Sequence, residues 1–250
     1  MLLAIDIGNS NITLGFFSKN KLIEKKSLAT NTKMSVKNYS EIFTDLVGNM
    51  SIEDCIISSV VPEIDKKIEK IIYKTFKIKP TFITIKTNLG IKIKSKNPET
   101  AGADRIVNVA AAKNLYKYPA IVIDIGSAIT FDIIDNNGDF IGGLIMPGLN
   151  LQLKSLYDYT SKLPMLEINP IEKTINNDTK NSILSGVIRG TACSIDGLIE
   201  ECKKELKTNP YIILSGGNSE FMSKYIKNYD TINPNLTLEG LNIIYDYLHK

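Results

Sequence analysis

Two stretches of this chain are nearly the same sentence. AIDIGNSNITLGFF begins at Ala4 and IVIDIGSAITFDII begins at Ile121. Each is an apolar run, then Asp-Ile-Gly, then small polar residues, then a second run rich in β-branched and aromatic side chains. A strand that ends in an acidic, glycine-bearing turn and returns as a second strand is a hairpin signature. A chain that carries it twice, nearly half its 250 residues apart, is expected to build one α/β unit twice.

The remaining patterning agrees with that division. Residues 2–7, 11–17 and 21–28 alternate as short strands. Residues 36–47 have helical spacing and stop at Gly48, and residues 54–61, with CIISSVV, are a buried strand. Pro62 opens a helix through about residue 75, and residues 81–85 form another strand. A polar, Lys-rich loop follows, then a helix from Ala101 to Leu115 with an alanine-rich face. The second half restarts with strands near 120–124, 129–135 and 139–146 and a helix over 148–157. A long helix spans 179–206, a strand 211–214, and helices 218–228 and 236–248 end the chain. Strand-strand-strand, helix, strand, helix, twice over, predicts mixed sheets flanked by helices, a duplicated α/β fold. The expected domains are 1–117 and 118–250, with a cleft between the halves.

Composition narrows the chemistry. An apolar content of 43% with 23% charged residues belongs to a folded globular chain. A net charge of +3 without a basic, aromatic-laced stripe argues against nucleic-acid binding. Cys55, Cys193 and Cys202 contain no CxxC pair and are expected as thiols in a reducing compartment. Met-Leu-Leu-Ala-Ile-Asp reads as a first strand rather than a leader, and no apolar run is long enough for a membrane span, so a cytoplasmic protein is expected. The single histidine, His249, stands next to the last residue. Histidine-based nucleophile activation and zinc ligation are therefore set aside, and a general base is expected to be a carboxylate.

The repeated turn suits phosphate. Gly8 allows a tight turn and close ligand approach, and the residues after it offer converging N–H donors. A carboxylate beside phosphates repels them unless a cation lies between, so Asp6 implies Mg²⁺ held through water. Asp124-Ile-Gly-Ser-Ala offers the same parts. Leu214-Ser-Gly-Gly-Asn218 adds a glycine site after a buried strand, suited to a flat ligand or a phosphate. There is no GxxxxGK[ST] loop and no GxGxxG.

These residues carry a resemblance. DIGNSNI, the second DIGSAIT and the late SGG resemble the phosphate and adenosine turns of the actin/hexokinase-type ATPase superfamily. GADRIVN (Gly102–Asn108), DIGSAITFD (Asp124–Asp132), GGLIMPGL (Gly142–Leu149) and DTKNSILSGVIRG (Asp178–Gly190) resemble type III pantothenate kinase. The resemblance runs over essentially the whole chain. It implies a duplicated ribonuclease-H-like fold, transfer of the ATP γ-phosphate to pantothenate as the first step toward coenzyme A, a homodimer, and a monovalent cation, K⁺ or NH₄⁺.

Position by position, the resemblance implies that Asp6, Ile7, Gly8, Asn9, Ser10, Asn11, Ile12 and Thr13 cradle Mg²⁺–ATP. Ser127, Gly216 and Gly217 also meet the nucleotide, and Asp124 holds the monovalent cation. Asp104 is the implied general base; in the first turn of a helix its ionised form is expected to be favoured. Gly102, Ala103, Asp104 and Arg105 meet the substrate, the Arg105 guanidinium at the substrate's carboxylate, and Thr179 contacts the substrate near the dimer interface. Ser95 stands where the family carries an aromatic residue lining the pantothenate site. That departure keeps two alternatives: a nucleotide-binding accessory factor, or a kinase for another small hydroxy acid.

Overall fold

The computed structural model describes residues 1–249. Leu2–Ile7 (β1) is apolar on both faces, and Asn11–Ser18 (β2) returns antiparallel to it with Asp6 opposite Thr13. Lys21–Ala29 (β3) adds a polar, half-exposed outer strand. Val36–Val47 (α1) is capped at its start by Ser35, whose side chain accepts the Asn38 N–H, and it ends at Gly48 with φ +57°. Asp54–Ser59 (β4) then runs parallel to β1 on its other side, with Ser58 opposite Asp6. Pro62–Phe76 (α2) starts on its proline, and Thr81–Phe82 (β5) completes a sheet ordered β3-β2-β1-β4-β5. A single 3-10 turn (Pro98–Thr100) precedes Ala103–Leu115 (α3).

The second half repeats this plan. Ala120–Ile125 (β6), Ala128–Ile134 (β7) and Phe140–Pro147 (β8) form an antiparallel meander. Leu149–Asp158 (α4) and Thr179–Leu206 (α5) follow. Tyr211–Ser215 (β9) pairs parallel to β6 with Ser215 opposite Asp124. Ser219–Met222 (α6), Thr231–Ile232 (β10) and Leu236–Leu248 (α7) end the chain. The sheet order β10-β9-β6-β7-β8 is the first sheet's order with each strand replaced by its counterpart. The expected duplicated fold of mixed sheets flanked by helices is what is found.

The chain divides into two compact units, and the division corrects the expected domains of 1–117 and 118–250. The break falls after Leu115, and α7 belongs to the first unit rather than the second. The reason is apolar burial. Leu238, Leu241 and Ile244 of α7 join Leu2, Ala4, Phe17 and Ile56 of the first sheet, with Ile106, Val107 and Ala110 of α3. Gly240 lets α7 reach the α3 backbone, since a Cβ there would stand 2.7 Å from the Val107 carbonyl oxygen. The opposite face of that sheet is covered by α1 and α2 through Tyr39, Phe43, Ile64 and Ile68.

In the second unit one sheet face, carrying Ile121, Ile123, Ile125 and Phe131, packs on α4 and α5. Among the described residues α5 is the one helix long and apolar enough to cross a membrane, and 44% of its most apolar window is buried within the chain. Leu184, Ile188, Ala192, Ile195 and Ile199 place it as a core helix. Two expectations were too long. The strand 81–85 shrinks to two residues, and the helix 218–228 stops at Met222. Past that helix, the Asp196 carboxylate accepts the N–H groups of Lys227 and Asn228 (2.9–3.2 Å).

Candidate functional site

The two acidic turns are alike in sequence and differ in length by one residue. Between the paired Ile7 and Ile12 lie four residues, Gly8 to Asn11; between Ile125 and Ile129 lie three, Gly126 to Ala128. Gly8 N–H closes its turn on the Asn11 carbonyl at 2.9 Å, and Gly126 N–H closes the other on Ala128 at 3.0 Å. The longer loop exposes Asn9, Ser10 and Asn11, while Asp6 behind it is half-buried. Thr13, directly opposite Asp6 on β2, shares its sheet face, as does Ser58 on β4. The hydroxyl of Ser58 is buried with no hydrogen-bond partner.

The second turn is held between two glycines. Gly148 donates its N–H to the Ser127 carbonyl (3.1 Å), and a Cβ on Gly148 would fall on the Gly126 carbonyl oxygen and 2.5 Å from that of Ser127. On the other side Gly216, at φ +85°, lies so close that a Cβ would fall on Asp124 Oδ1 and 2.7 Å from the Ile125 nitrogen. Asn218 N–H completes that junction on the Ile125 carbonyl (3.0 Å). Asp124 is thus set among Gly216, Thr130 across β7 and Ser215 across β9. Ser215, like Ser58, keeps a buried hydroxyl without a partner. Among the described residues no three His, Cys, Asp or Glu side chains gather as a metal cluster, so each turn offers one carboxylate and hydroxyls rather than a carboxylate cage.

Asp104 sits in the first turn of α3, half-buried, with Oδ1 accepting the Arg105 N–H at 2.8 Å. Gly102 makes room for it: a Cβ there would fall on Asp104 Oδ1 and 3.6 Å from Val60 Cγ1. Val60 in turn donates its N–H to the Ile7 carbonyl (3.0 Å), the residue before Gly8. The first unit therefore gathers Asp6, the Gly8–Asn11 loop, Gly102 and Asp104 into one neighbourhood. Burial pushes the Asp104 carboxyl above its ordinary value, against the opposing pull of the Arg105 amide and guanidinium. The expectation that the helix terminus would favour its ionised form is corrected, because desolvation outweighs the local donors.

Other expected residues stand apart. Thr179 borders a cavity of about 660 Å³ in the second unit, with Gln152, Asn176, Asp178 and Ser182, and none of the other expected residues line it. The cap of α5 is Asp178, which accepts the Asn181 N–H at 2.9 Å, leaving the Thr179 hydroxyl exposed. Ser95 is half-buried before the 3-10 turn, its hydroxyl buried without a partner. Ser58, Ser215 and Gly148 were not singled out as site residues. The signal for the serines was a polar residue at the C-terminal end of an apolar strand, but only strand register shows which aspartate each faces.

Known proteins agree with this construction. Residues 2–201 match the sequence profile described as type III pantothenate kinase. A protein of that name from Agathobacter rectalis is 35% identical over 98% of this chain and 96% of its own length. Another from Citrifermentans bemidjiense is 36% identical over 98% of each. Among solved structures, a candidate Baf family transcriptional activator from Campylobacter jejuni superposes with a TM-score of 0.60 at 21% identity, covering 99% of this chain and 100% of that one. MreB 5 of Spiroplasma citri, bound to AMPPNP, gives 0.55 at 12% identity, covering 99% and 96%. At those identities the structural likeness speaks for the actin-like ATPase fold alone. The sequence matches speak for more, since they run nearly end to end through GADR and both acidic turns: the chain belongs to the type III pantothenate kinase family.

Proposed function

We propose that this chain transfers the γ-phosphoryl group of ATP to the primary hydroxyl of pantothenate, giving 4′-phosphopantothenate, the first step of coenzyme A synthesis. The observation that carries the reading is Asp104: a half-buried carboxylate with a raised pKa, set beside an open, glycine-bearing phosphate turn, in a chain without a usable histidine. A general base works best when its pKa approaches the operating pH, and burial moves Asp104 that way. In this reading Asp104 accepts the hydroxyl proton as the oxygen attacks in line. Arg105 holds the substrate carboxylate through its planar fork, with Gly102 and Ala103 at the same site. Residues 6–13, Ser127, Gly216 and Gly217 hold ATP, and Thr179 orients the substrate.

The donor sets fit two cations. Asp6 with the partnerless hydroxyl of Ser58 suits Mg²⁺ met partly through water, and Asp124 with Ser215 and the space at Gly216 suits K⁺ or NH₄⁺. Bound there, the cations supply positive charge against the phosphate oxygens; positioning is the protein's part. A homodimer belongs to the reading. Its support is the exposed apolar side chains of Leu151 and Ile175, next in sequence to Gln152 and Asn176 of the cavity at Thr179, with exposed Tyr159 and Met165 in the same stretch of chain. The reading places the enzyme in the cytoplasm, with no nucleic acid or membrane partner.

A coupled ADP-release assay with ATP, Mg²⁺ and pantothenate, in K⁺ and in Na⁺ alone, tests it. Pantothenate-dependent ADP formation that needs K⁺ is the expected result. Nucleotide binding with no ADP formed overturns it. Ser95 favours one second reading, a kinase for a related hydroxy acid, because a small hydroxyl replaces an aromatic wall. ADP formed with such an acid and not with pantothenate selects that reading.

A further inference from the structure

The two halves brace their acidic turns with the same backbone bond. Ala29 of β3 pairs with Asn11, and the next residue, Thr30, donates its N–H to the Ser10 carbonyl at 3.0 Å. Pro147 of β8 pairs with Ala128, and the next residue, Gly148, donates its N–H to the Ser127 carbonyl at 3.1 Å. Thr30 and Gly148 are thus equivalent positions, yet one carries a hydroxyl and the other no side chain at all. The loop lengths explain the difference. Three residues hold the second turn so close that no Cβ fits at Gly148. Four residues let the first turn stand off, and the side chain of Thr30 occupies the interval, its hydroxyl donating to the Gly8 carbonyl at 2.6 Å.

That hydroxyl decides where the loop's amides point. The Gly8 carbonyl and the Asn9 N–H belong to one planar trans peptide and face opposite ways. With the carbonyl tied to Thr30, the Asn9 N–H is turned away from β3, and it donates to no other group of the chain among the described residues. An outward, unspent amide on an exposed glycine turn is what an anionic oxygen requires. Thr30 is itself anchored from behind. The buried hydroxyl of Tyr39 accepts the Asn31 N–H (2.8 Å) and donates to the Asn31 carbonyl (3.1 Å). Lys67 of α2 donates to the carbonyls of Thr32 (2.7 Å) and Met34 (3.0 Å). The segment after β3 is bolted to two helices, and Thr30 passes that rigidity to the turn.

We infer that Thr30 is a positioning residue for ATP, its hydroxyl fixing the Gly8–Asn9 peptide so that the Asn9 N–H meets a phosphate oxygen. The inference rests on residues 6–13 being the phosphate turn. The test compares Thr30→Val, which keeps shape and loses the hydroxyl, with Thr30→Ser, which keeps the hydroxyl, in the full-length protein. Calorimetric titration with a non-hydrolysable ATP analogue and with adenosine gives affinity without turnover. Thr30→Val should bind the triphosphate about five-fold more weakly, about 1 kcal/mol at 1.4 kcal/mol per ten-fold. Adenosine affinity and the KM for pantothenate should change less than two-fold, and Thr30→Ser should restore triphosphate binding. A purely structural role would weaken adenosine and triphosphate together, and that result overturns the inference. So does unchanged triphosphate binding in Thr30→Val. Asp6→Asn separates the two ideas. If it weakens triphosphate binding while Thr30→Val does not, only the role of Thr30 falls; if neither does, the phosphate turn falls with it. Should Thr30→Val fail to fold, Thr30→Ala takes its place and is read on the same ratio of triphosphate to adenosine affinity.

Discussion

Replacing Gly148 by alanine adds one methyl group at the tightest backbone junction of the second unit. The backbone there is extended, φ −70° and ψ 167°, so alanine meets no conformational penalty. At an open site the change would stabilise by about 0.4–1 kcal/mol through the unfolded state. Here the new Cβ would sit on the Gly126 carbonyl oxygen, 2.5 Å from the Ser127 oxygen and 2.8 Å from its carbon. Ordinary contact begins near 3.4 Å, so the Gly126–Ser127 peptide must retreat by about 1 Å. Overpacking of this kind costs about 1–3 kcal/mol. The Gly148 N–H bond to Ser127 is stretched, and alanine is a poorer helix cap than glycine at the start of α4. The net loss should be about 1–3 kcal/mol, or roughly 2–10 °C in Tm for a chain of this size. Moving a binding turn by 1 Å can cost up to about 100-fold in turnover. Differential scanning fluorimetry and steady-state kinetics read both effects. Gly197→Ala is the control: it lies exposed in α5, a Cβ there meets nothing within 4 Å, and it should stabilise by about 0.5–1 kcal/mol. A Gly148→Ala protein with wild-type Tm and unchanged turnover would refute the reasoning.

Three further outcomes follow from the same geometry. Asp104→Asn should lower kcat by about 10²–10⁴-fold and yet melt at a higher temperature than the parent at neutral pH. Burial raises the folded-state pKa of this acid, so the native state binds more protons than the unfolded chain between the ordinary carboxyl value and the raised one. Stability therefore falls as pH rises through that window, and the variant's advantage should vanish below it; an advantage that persists in acid would contradict the assignment. Arg189 donates to the carbonyls of Ile171 and Glu172 and lies 5.6 Å from the Tyr225 ring, whose hydroxyl accepts the Ile171 N–H (3.0 Å). Arg189→Leu should loosen the strap before α5 by about 1–3 kcal/mol, seen as faster proteolysis within residues 165–178. In native protein Cys193 should react first with a thiol reagent, half-buried Cys202 later, and Cys55 only on unfolding, since burial and then Asp54 push the Cys55 thiol well up.

The parts of the fold legible in the sequence were those set by local rules. The helices expected over residues 36–47, about 179–206 and about 236–248 are found at those positions, because an apolar stripe runs through each. The parts that were not legible depend on distant partners. Asp196 holds the chain after α6 by accepting the Lys227 N–H from 31 residues away in sequence. The assignment of α7 to the first unit depends on Gly240 meeting Val107, a close approach that no periodicity announces. The raised pKa of Asp104 is hidden from the sequence for a similar reason: the helix terminus is visible there, while the burial that outweighs it is not.

Strand register carries the rest of the argument about the site. The sequence presents SSVV after one apolar strand and SGG after another, with nothing to connect them. Parallel pairing puts Ser58 opposite Asp6 and Ser215 opposite Asp124, and antiparallel pairing puts Thr13 and Thr130 on their other sides. The same Ser-Asp-Thr row therefore crosses each sheet at the mouth of its turn. What separates the two turns is then a single residue of loop. The longer turn leaves room for a threonine side chain at its brace and exposes three loop residues, and the shorter one demands glycine on both sides and exposes two. One insertion in an otherwise duplicated hairpin is enough to leave one turn open, with three exposed residues, and the other a tight seat around Asp124.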